Sequence, residues 1–287
     1  MKRERLRAGR QGNVQKWLVP IVIGTWFGCT SLQAQTTPHL SAPDLNRPEI
    51  TNAPNGVPVV NIAPPSAGGV SHNHFEAFHV EQQGLILNNS QADGNTTLGG
   101  LVLGNPRLEN SGSASVIVNE VKGGSRSILQ GILEVFGPSA DVVIANPNGI
   151  TVDGGQFLNT PRVTLTTGTP GFGGLAYSVS QGDITVMGSG LDASNVGELN
   201  LVSKTAVITA PIKAANQLDI LTGSGTYDHS SRQFTGTGAP GSGLSIDASA
   251  LGAMDAGKIT LKSTDGGVGV RLANNMAANA DALFIEA

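Results

Sequence analysis

The chain has 287 residues, with 39 Gly and 15 Pro but only 8 Phe, 2 Trp and 2 Tyr, and a formal net charge of −4. A charged fraction of 13% excludes an extended disordered tail, and an apolar fraction of 39%, mostly Val, Ile, Leu and Ala, is enough for a packed core. The acidic balance leaves no electrostatic footprint for nucleic acid.

Residues 1–34 differ from the rest. "MKRERLRAGRQGNVQK" carries Lys2, Arg3, Arg5, Arg7, Arg10 and Lys16 against Glu4; an apolar run, "WLVPIVIGTWFGCTSL", follows, and Leu32-Gln33-Ala34 offers a small residue before a cut. This is the three-part layout of a secretory signal peptide. The apolar run falls short of the roughly 20 residues a membrane span needs, and Pro20 and Gly24 interrupt it. A lipoprotein site at Cys29 is disfavoured by the bulky Trp26 and Phe27 before it. Six of the 17 Lys and Arg and one of the 21 Asp and Glu lie in this segment, so the mature chain is near −9. The sole cysteine, Cys29, leaves with the signal, and the exported chain forms no disulfide.

Residues 35–56 hold Pro38, Pro43, Pro48 and Pro54 and read as an irregular leader. From Val57 onward short strand-like runs recur, each ending at Gly, Asn, Asp or Pro, and no window sustains a capped helical period. The runs include "DVVIAN" from Asp141, "RVTLTT" from Arg162, "DITVMG" from Asp183, "ELNLVS" from Glu198, "QLDILT" from Gln217, "GLSIDA" from Gly243, "KITLKS" from Lys258 and "ALFIEA" from Ala282. Asp141, Arg162 and Asp183 are 21 residues apart, and Glu198 to Gln217 is 19. An imperfect repeat near 20 residues points to a stacked solenoid, because one unit cannot bury its own apolar face. Three strands and three corners fit that length, which predicts an all-β, single-stranded parallel β-helix of about 12 coils, with coils about 4.8 Å apart. Bulky rings fit poorly inside a narrow coil, in keeping with the few aromatics. Part of Val57–Asn89, with Phe75, Phe78, Val80, Leu85, Ile86 and Leu87, is expected as an N-terminal β cap over the open end. The uncapped "ALFIEA" suggests a fragment or the first module of a longer rod. An antiparallel sandwich would explain the alternation but not the spacing.

"VVIANPNGITVDGG" (Val142–Gly155) packs two corners into one short stretch. In Asn146-Pro147-Asn148-Gly149, Pro fixes φ for the second position of a tight turn, Asn tolerates the third and Gly suits the fourth. With "GVSHNHFEAFHVEQQGLILNNS" (Gly69–Ser90), "GNPRLENSGSASVIVNEV" (Gly104–Val121) and "SALGAMDAGKITLKSTDGGVGVRLA" (Ser249–Ala273), this block resembles the N-terminal secretion domain of filamentous haemagglutinin-type exoproteins, the large partners of two-partner secretion. The likeness covers nearly all of residues 57–287. The family carries NPNG and NPNL signatures. Residues 146–149 match the first in full; Asn105-Pro106-Arg107-Leu108 matches the second except at Arg107. Asn119 and Glu120 in "IVNEV" also match, and positions where some members carry a cysteine pair read Val152 and Gly155.

The resemblance implies a right-handed β-helix and a mode of action. General export machinery delivers the chain to the periplasm, the periplasmic domains of an outer-membrane β-barrel transporter recognise it, and it folds outside a Gram-negative cell, secreted or at the surface. Downstream regions could then meet host or neighbouring-cell surfaces in adhesion, haemolysis or toxin delivery. Asn105, Pro106, Leu108, Asn119, Glu120, Asn146, Pro147, Asn148 and Gly149 become candidate recognition residues. Turn chemistry alone serves the two Asn-Pro motifs equally well, and Asn119 and Glu120 read as side chains bonding backbone at a coil edge.

Other chemistry is poorly supplied. His72, His74 and Glu76 would share one strand face and His79 the other, near Glu81. Structural zinc wants four ligands, so the histidines read as a solvated face and no metal is expected. The rival function is a secreted β-helical polysaccharide lyase or hydrolase, which needs clustered carboxylates. Asp141, Asp153, Asp183 and Asp192 are instead scattered at corners, no serine has a visible base, and no glycine loop opens a helix for a nucleotide. No catalytic residue and no cofactor is assigned.

Overall fold

The computed structural model describes residues 35–287 apart from 172, 250 and 274; the expected signal segment, residues 1–34, lies outside the described residues. Short extended runs stack on three faces. The first face runs Val70–Ala77, Val116–Val121, Asp141–Ala145, Arg162–Thr166, Glu198–Ser203, Gln217–Thr222, Lys258–Ser263 and Leu283–Glu286, each parallel to the next. The second face begins with His79–Val80, Ser127–Leu129, Ile150–Val152 and Asp183–Val186, and ends with Gly269–Leu272. The third begins with Pro58–Asn61, Leu85–Asn88, Ile132–Phe136 and Gly155–Leu158, and ends with Met276–Ala278. The chain visits the faces in turn, which makes a parallel β-helix.

The described residues form seven complete coils, with the third-face strand Pro58–Asn61 before them and the first-face strand Leu283–Glu286 after them, not twelve. Chain length is diverted into decorations. Thr169–Pro170, Ala176–Val179, Gly225–Asp228 and Gln233–Gly236 build a four-stranded antiparallel sheet outside the coils, and Gly94–Thr96 with Gly100–Val102 forms a hairpin. The first insertion also misleads the repeat count. Asp183 lies on the second face, whereas Asp141 and Arg162 lie on the first. Its 21-residue spacing from Arg162 is an excursion of the chain plus one corner, not one coil.

Alternation decides what each strand buries. In Asp141–Ala145, Val142 and Ile144 point into the coil, while Val143 and Ala145 point outward beneath the antiparallel sheet. Both sides are covered, so the run is continuously apolar, as buried parallel strands are. Val163, Leu199, Leu218 and Ile259 stack in register through successive coils of the interior. Phe75 and Phe78 meet edge-to-face at 4.9 Å inside the first coil. Tyr177, Tyr227 and Phe234 pack outside the coils under the antiparallel sheet, and Phe136 packs outside the third face. Arg162 donates to Asp141 Oδ2 and to the His229 carbonyl, and Arg232 pairs with Glu198, so two cations hold that sheet's tip on the first face.

The N-terminal cap lies upstream of where the sequence places it. Val70–Ala77 and the strands after it already form the first coil. The residues read as an irregular leader contain Thr37–Pro38, antiparallel to Val70–Ala77, and Glu49–Asn52, antiparallel to Pro58–Asn61. An antiparallel strand satisfies the edge of a parallel sheet without starting another coil. Beside it, the Thr36 hydroxyl donates to His79 O at 2.5 Å and accepts from His79 N at 2.8 Å.

Candidate functional site

The two Asn-Pro motifs occupy different corners yet share one construction. Asn146 directly follows the first-face strand Asp141–Ala145 and is fully buried. Its Oδ1 accepts from Asn148 N at 2.9 Å, which closes the local Asx turn, and Gly149 N donates to Asn146 O at 3.0 Å. Its Nδ2 reaches the preceding coil, donating to Ser125 O and Ser127 Oγ, both at 2.9 Å. Asn148 repeats the reach with a 2.8 Å bond to Gly123 O. Gly149 has φ +102°, and a Cβ there would sit 2.7 Å from Arg126 Nη1 and 2.9 Å from Asp183 O, so this position needs glycine on both counts. Pro147 and Asn148 are half-buried.

Asn105 does the same work near the N-terminal end. Its Oδ1 accepts from Arg107 N at 3.0 Å, and its Nδ2 donates to Ile62 O and Asn88 O, both at 3.0 Å. Leu108 N closes the turn on Asn105 O at 3.1 Å, and the Leu108 side chain is fully buried in the interior. Arg107, the departure from the family pattern, donates to Asp44 O at 2.6 Å and so fastens the leader, where Asn148 in the other motif fastens a neighbouring coil.

Asn119 and Glu120 alternate in one strand and serve opposite sides. Asn119 points inward, between Ile117 and Val121 of the interior, and donates to Val143 O at 3.2 Å. Its register partner Asn73 donates to Val118 O at 3.2 Å and accepts from Ala63 N at 2.8 Å. Glu120 points outward and, against expectation, bonds side chains rather than backbone. His72 Nε2 lies 2.8 Å and His74 Nε2 3.3 Å from its Oε2, and Lys122 Nζ lies 2.6 Å from its Oε1. His72 and His74 do share a face, but not as solvated side chains beside Glu76; Glu76 turns to His39 at 2.9 Å. Burial, then the neighbouring His72, push His74 down to about 4. Burial alone would raise the Glu120 carboxyl, but hydrogen bonds from His72 and Lys122 hold it below the usual range.

Arg126 carries no signal in the sequence. Its guanidinium donates to Thr151 Oγ1 at 2.8 Å, Ile150 O at 3.1 Å and Asp183 Oδ2 at 2.6 Å, tying three successive second-face strands beside Gly149. Hydrogen bonds from Arg126 hold the Asp183 carboxyl below its ordinary range. No local pattern marks Arg126; its role depends on partners 24 to 57 residues away. The scattered acids stay apart: Asp141 pairs with Arg162 and His229, Asp183 with Arg126, and Asp153 accepts from Ser189 N.

The model of the TPS secretion domain, the domain of two-partner secretion, matches residues 34–285. The chain belongs to that family. The crystal structure of a filamentous hemagglutinin secretion domain superposes on this TPS domain with a TM-score of 0.77 and 37% identity, covering 84% of this chain and 82% of that one. Among curated proteins, a tRNA nuclease CdiA of Escherichia coli strain STEC_O31 is 44% identical over 239 residues, 81% of this chain. The tRNA nuclease CdiA-2 of Burkholderia pseudomallei strain 1026b is 41% identical over 246 residues, 84% of this chain. The chain spans only 7% and 8% of the lengths of those two relatives. The β-helix with its β cap and the secretion-module reading therefore stand together on fold and family.

Proposed function

We propose that this TPS domain is the address by which a cognate outer-membrane β-barrel transporter, through its periplasmic domains, selects an exoprotein that general export machinery has brought to the periplasm. The domain then folds outside a Gram-negative cell. One observation carries the reading: strands of the stack take their main backbone partners from neighbouring coils. A chain leaving a pore in extended form can therefore order one coil at a time, each new coil pairing with the edge of the last. Folding of a domain releases about 5–15 kcal/mol, enough to bias such movement outward without a nucleotide site. A low charge and a sequence without cysteine after Cys29 suit unfolded passage.

In this reading the two Asn-Pro corners act twice. In the folded coil they are cross-ties. In the extended chain the same residues, with Asn119 and Glu120, are exposed for the receptor. An unpaired strand edge offers the receptor a place to add its own strand. The domain itself is non-catalytic, and any nuclease, toxin or adhesive activity is assigned to sequence outside the matched segment. The test is binding of the urea-unfolded chain, after dilution, to the immobilised periplasmic domains of the transporter. Saturable binding that Asn148→Ala weakens supports the proposal; absence of binding to those domains overturns it.

A further inference from the structure

We propose that His72, His74 and Glu120 form a three-ligand site for a first-row transition-metal cation of the zinc class. The ligand atoms converge from two coils. His72 and His74 stand on the outward side of Val70–Ala77, and Glu120 on the outward side of the parallel strand Val116–Val121, where it is the register partner of His74. One nitrogen from each ring and one carboxylate oxygen lie within 4.8 Å of one another. Zinc binds nitrogen and oxygen at about 2.0–2.2 Å, so tetrahedral ligand atoms sit about 3.3 Å apart. The separations from Glu120 Oε2 to His74 Nε2 and His72 Nε2 are 3.3 and 2.8 Å, so the second need open by only about half an ångström. The rings meet edge-on at 85°, with centroids 4.7 Å apart, which lets both nitrogens aim at one point without stacking.

The surroundings complete the case. Lys122 holds Glu120 Oε1 and leaves Oε2 to the two histidines, the arrangement that orients a monodentate carboxylate. The three side chains line a cavity of about 770 Å³ walled by Leu45, Asn46, Pro64 and Pro170, with room for water as a fourth ligand. Two imidazoles, one carboxylate and a nearby ammonium give little negative charge, which favours nitrogen-seeking Zn²⁺, Co²⁺ or Ni²⁺ over Ca²⁺ or Mg²⁺. Binding takes the place of the His72–Glu120 hydrogen bond, releases its proton to solvent and supplies an ion that staples the first coil to the second.

The experiment titrates Co²⁺ into the full chain, untagged and stripped with chelator, and follows the visible ligand-field band of tetrahedral cobalt. The expected result is saturation at one equivalent, loss of the band on adding Zn²⁺, no effect of excess Ca²⁺, and a rise in Tm with Zn²⁺. His74→Gln should weaken binding by more than about tenfold, and His229→Gln should not change it. If the folded wild-type chain develops no tetrahedral band, the site does not exist, whatever the variants do. Binding equally tight in His74→Gln and Glu120→Gln would also overturn the assignment.

Discussion

Replacing Asn146 with Ala should destabilise the domain by about 3 kcal/mol. The side chain is completely buried and makes four hydrogen bonds: Nδ2 to Ser125 O and Ser127 Oγ, and Oδ1 from Asn148 N and Nδ2. Each such bond contributes about 1 kcal/mol net, and a buried group left without its partner costs about 1–3 kcal/mol. Ser127 is fully buried, so its hydroxyl bears that full cost, whereas half-buried Asn148 regains water and bears less. Asn148→Ala removes the Nδ2 bonds to Gly123 O and Asn146 Oδ1 from a half-buried site, while Asn146 Oδ1 keeps the Asn148 backbone N–H, so it should cost about 1 kcal/mol. The assay is urea unfolding at equilibrium, comparing midpoints at constant slope. An Asn146→Ala variant within about 0.5 kcal/mol of wild type, or one more stable than Asn148→Ala, would refute the view of this Asn as a cross-tie between coils. The same pair separates folding from recognition: if Asn148→Ala abolishes secretion while its unfolding midpoint barely moves, the transporter reads that side chain directly.

Gly149→Ala places a Cβ at φ +102° against Arg126 and should cost more than about 1 kcal/mol by urea unfolding; a neutral result would mean the turn can be rebuilt. Leu108→Ala empties a fully buried site behind the first Asn-Pro corner and should cost about 2–5 kcal/mol by the same assay, with a loss below about 1 kcal/mol placing Leu108 outside the core. The Asp183 carboxyl is held below its usual 3.8 by Arg126, so its contribution is complete above that value and disappears as pH falls through the lower folded value. Acid titration of stability should therefore be shallower in Arg126→Gln than in wild type, and identical profiles would show that the pair adds nothing in solution.

What the sequence discloses depends on how local the cause is. Apolar alternation between Gly and Asn corners is local and is enough to specify a parallel coil; the NPNG block and its neighbours carry the family resemblance. Spacing alone does not give the number of coils because insertions are invisible to it: Arg162 and Asp183 look like successive repeats, yet the antiparallel excursion between them puts Asp183 on another face. The prolines at 38, 43, 48 and 54 suggest irregularity, but Pro58–Asn61 offers an edge that fixes Glu49–Asn52 as a strand. The histidines show the same limit. Period two places His72 and His74 on one side, but their third partner, Glu120, is 48 and 46 residues away and joins them only through the register of two coils. Local spacing therefore shows a solvated pair of histidines, where the register of the coils gives them a carboxylate partner.

If this stack of coils is a secretion module, its passage depends on a dedicated outer-membrane partner. The direct measurement is the amount of the chain reaching the medium of a Gram-negative host, with and without its cognate β-barrel transporter. The account predicts folded, protease-resistant chain outside the cell only when the transporter is present, and periplasmic retention and degradation without it. Equal amounts in the medium in both cases would contradict it.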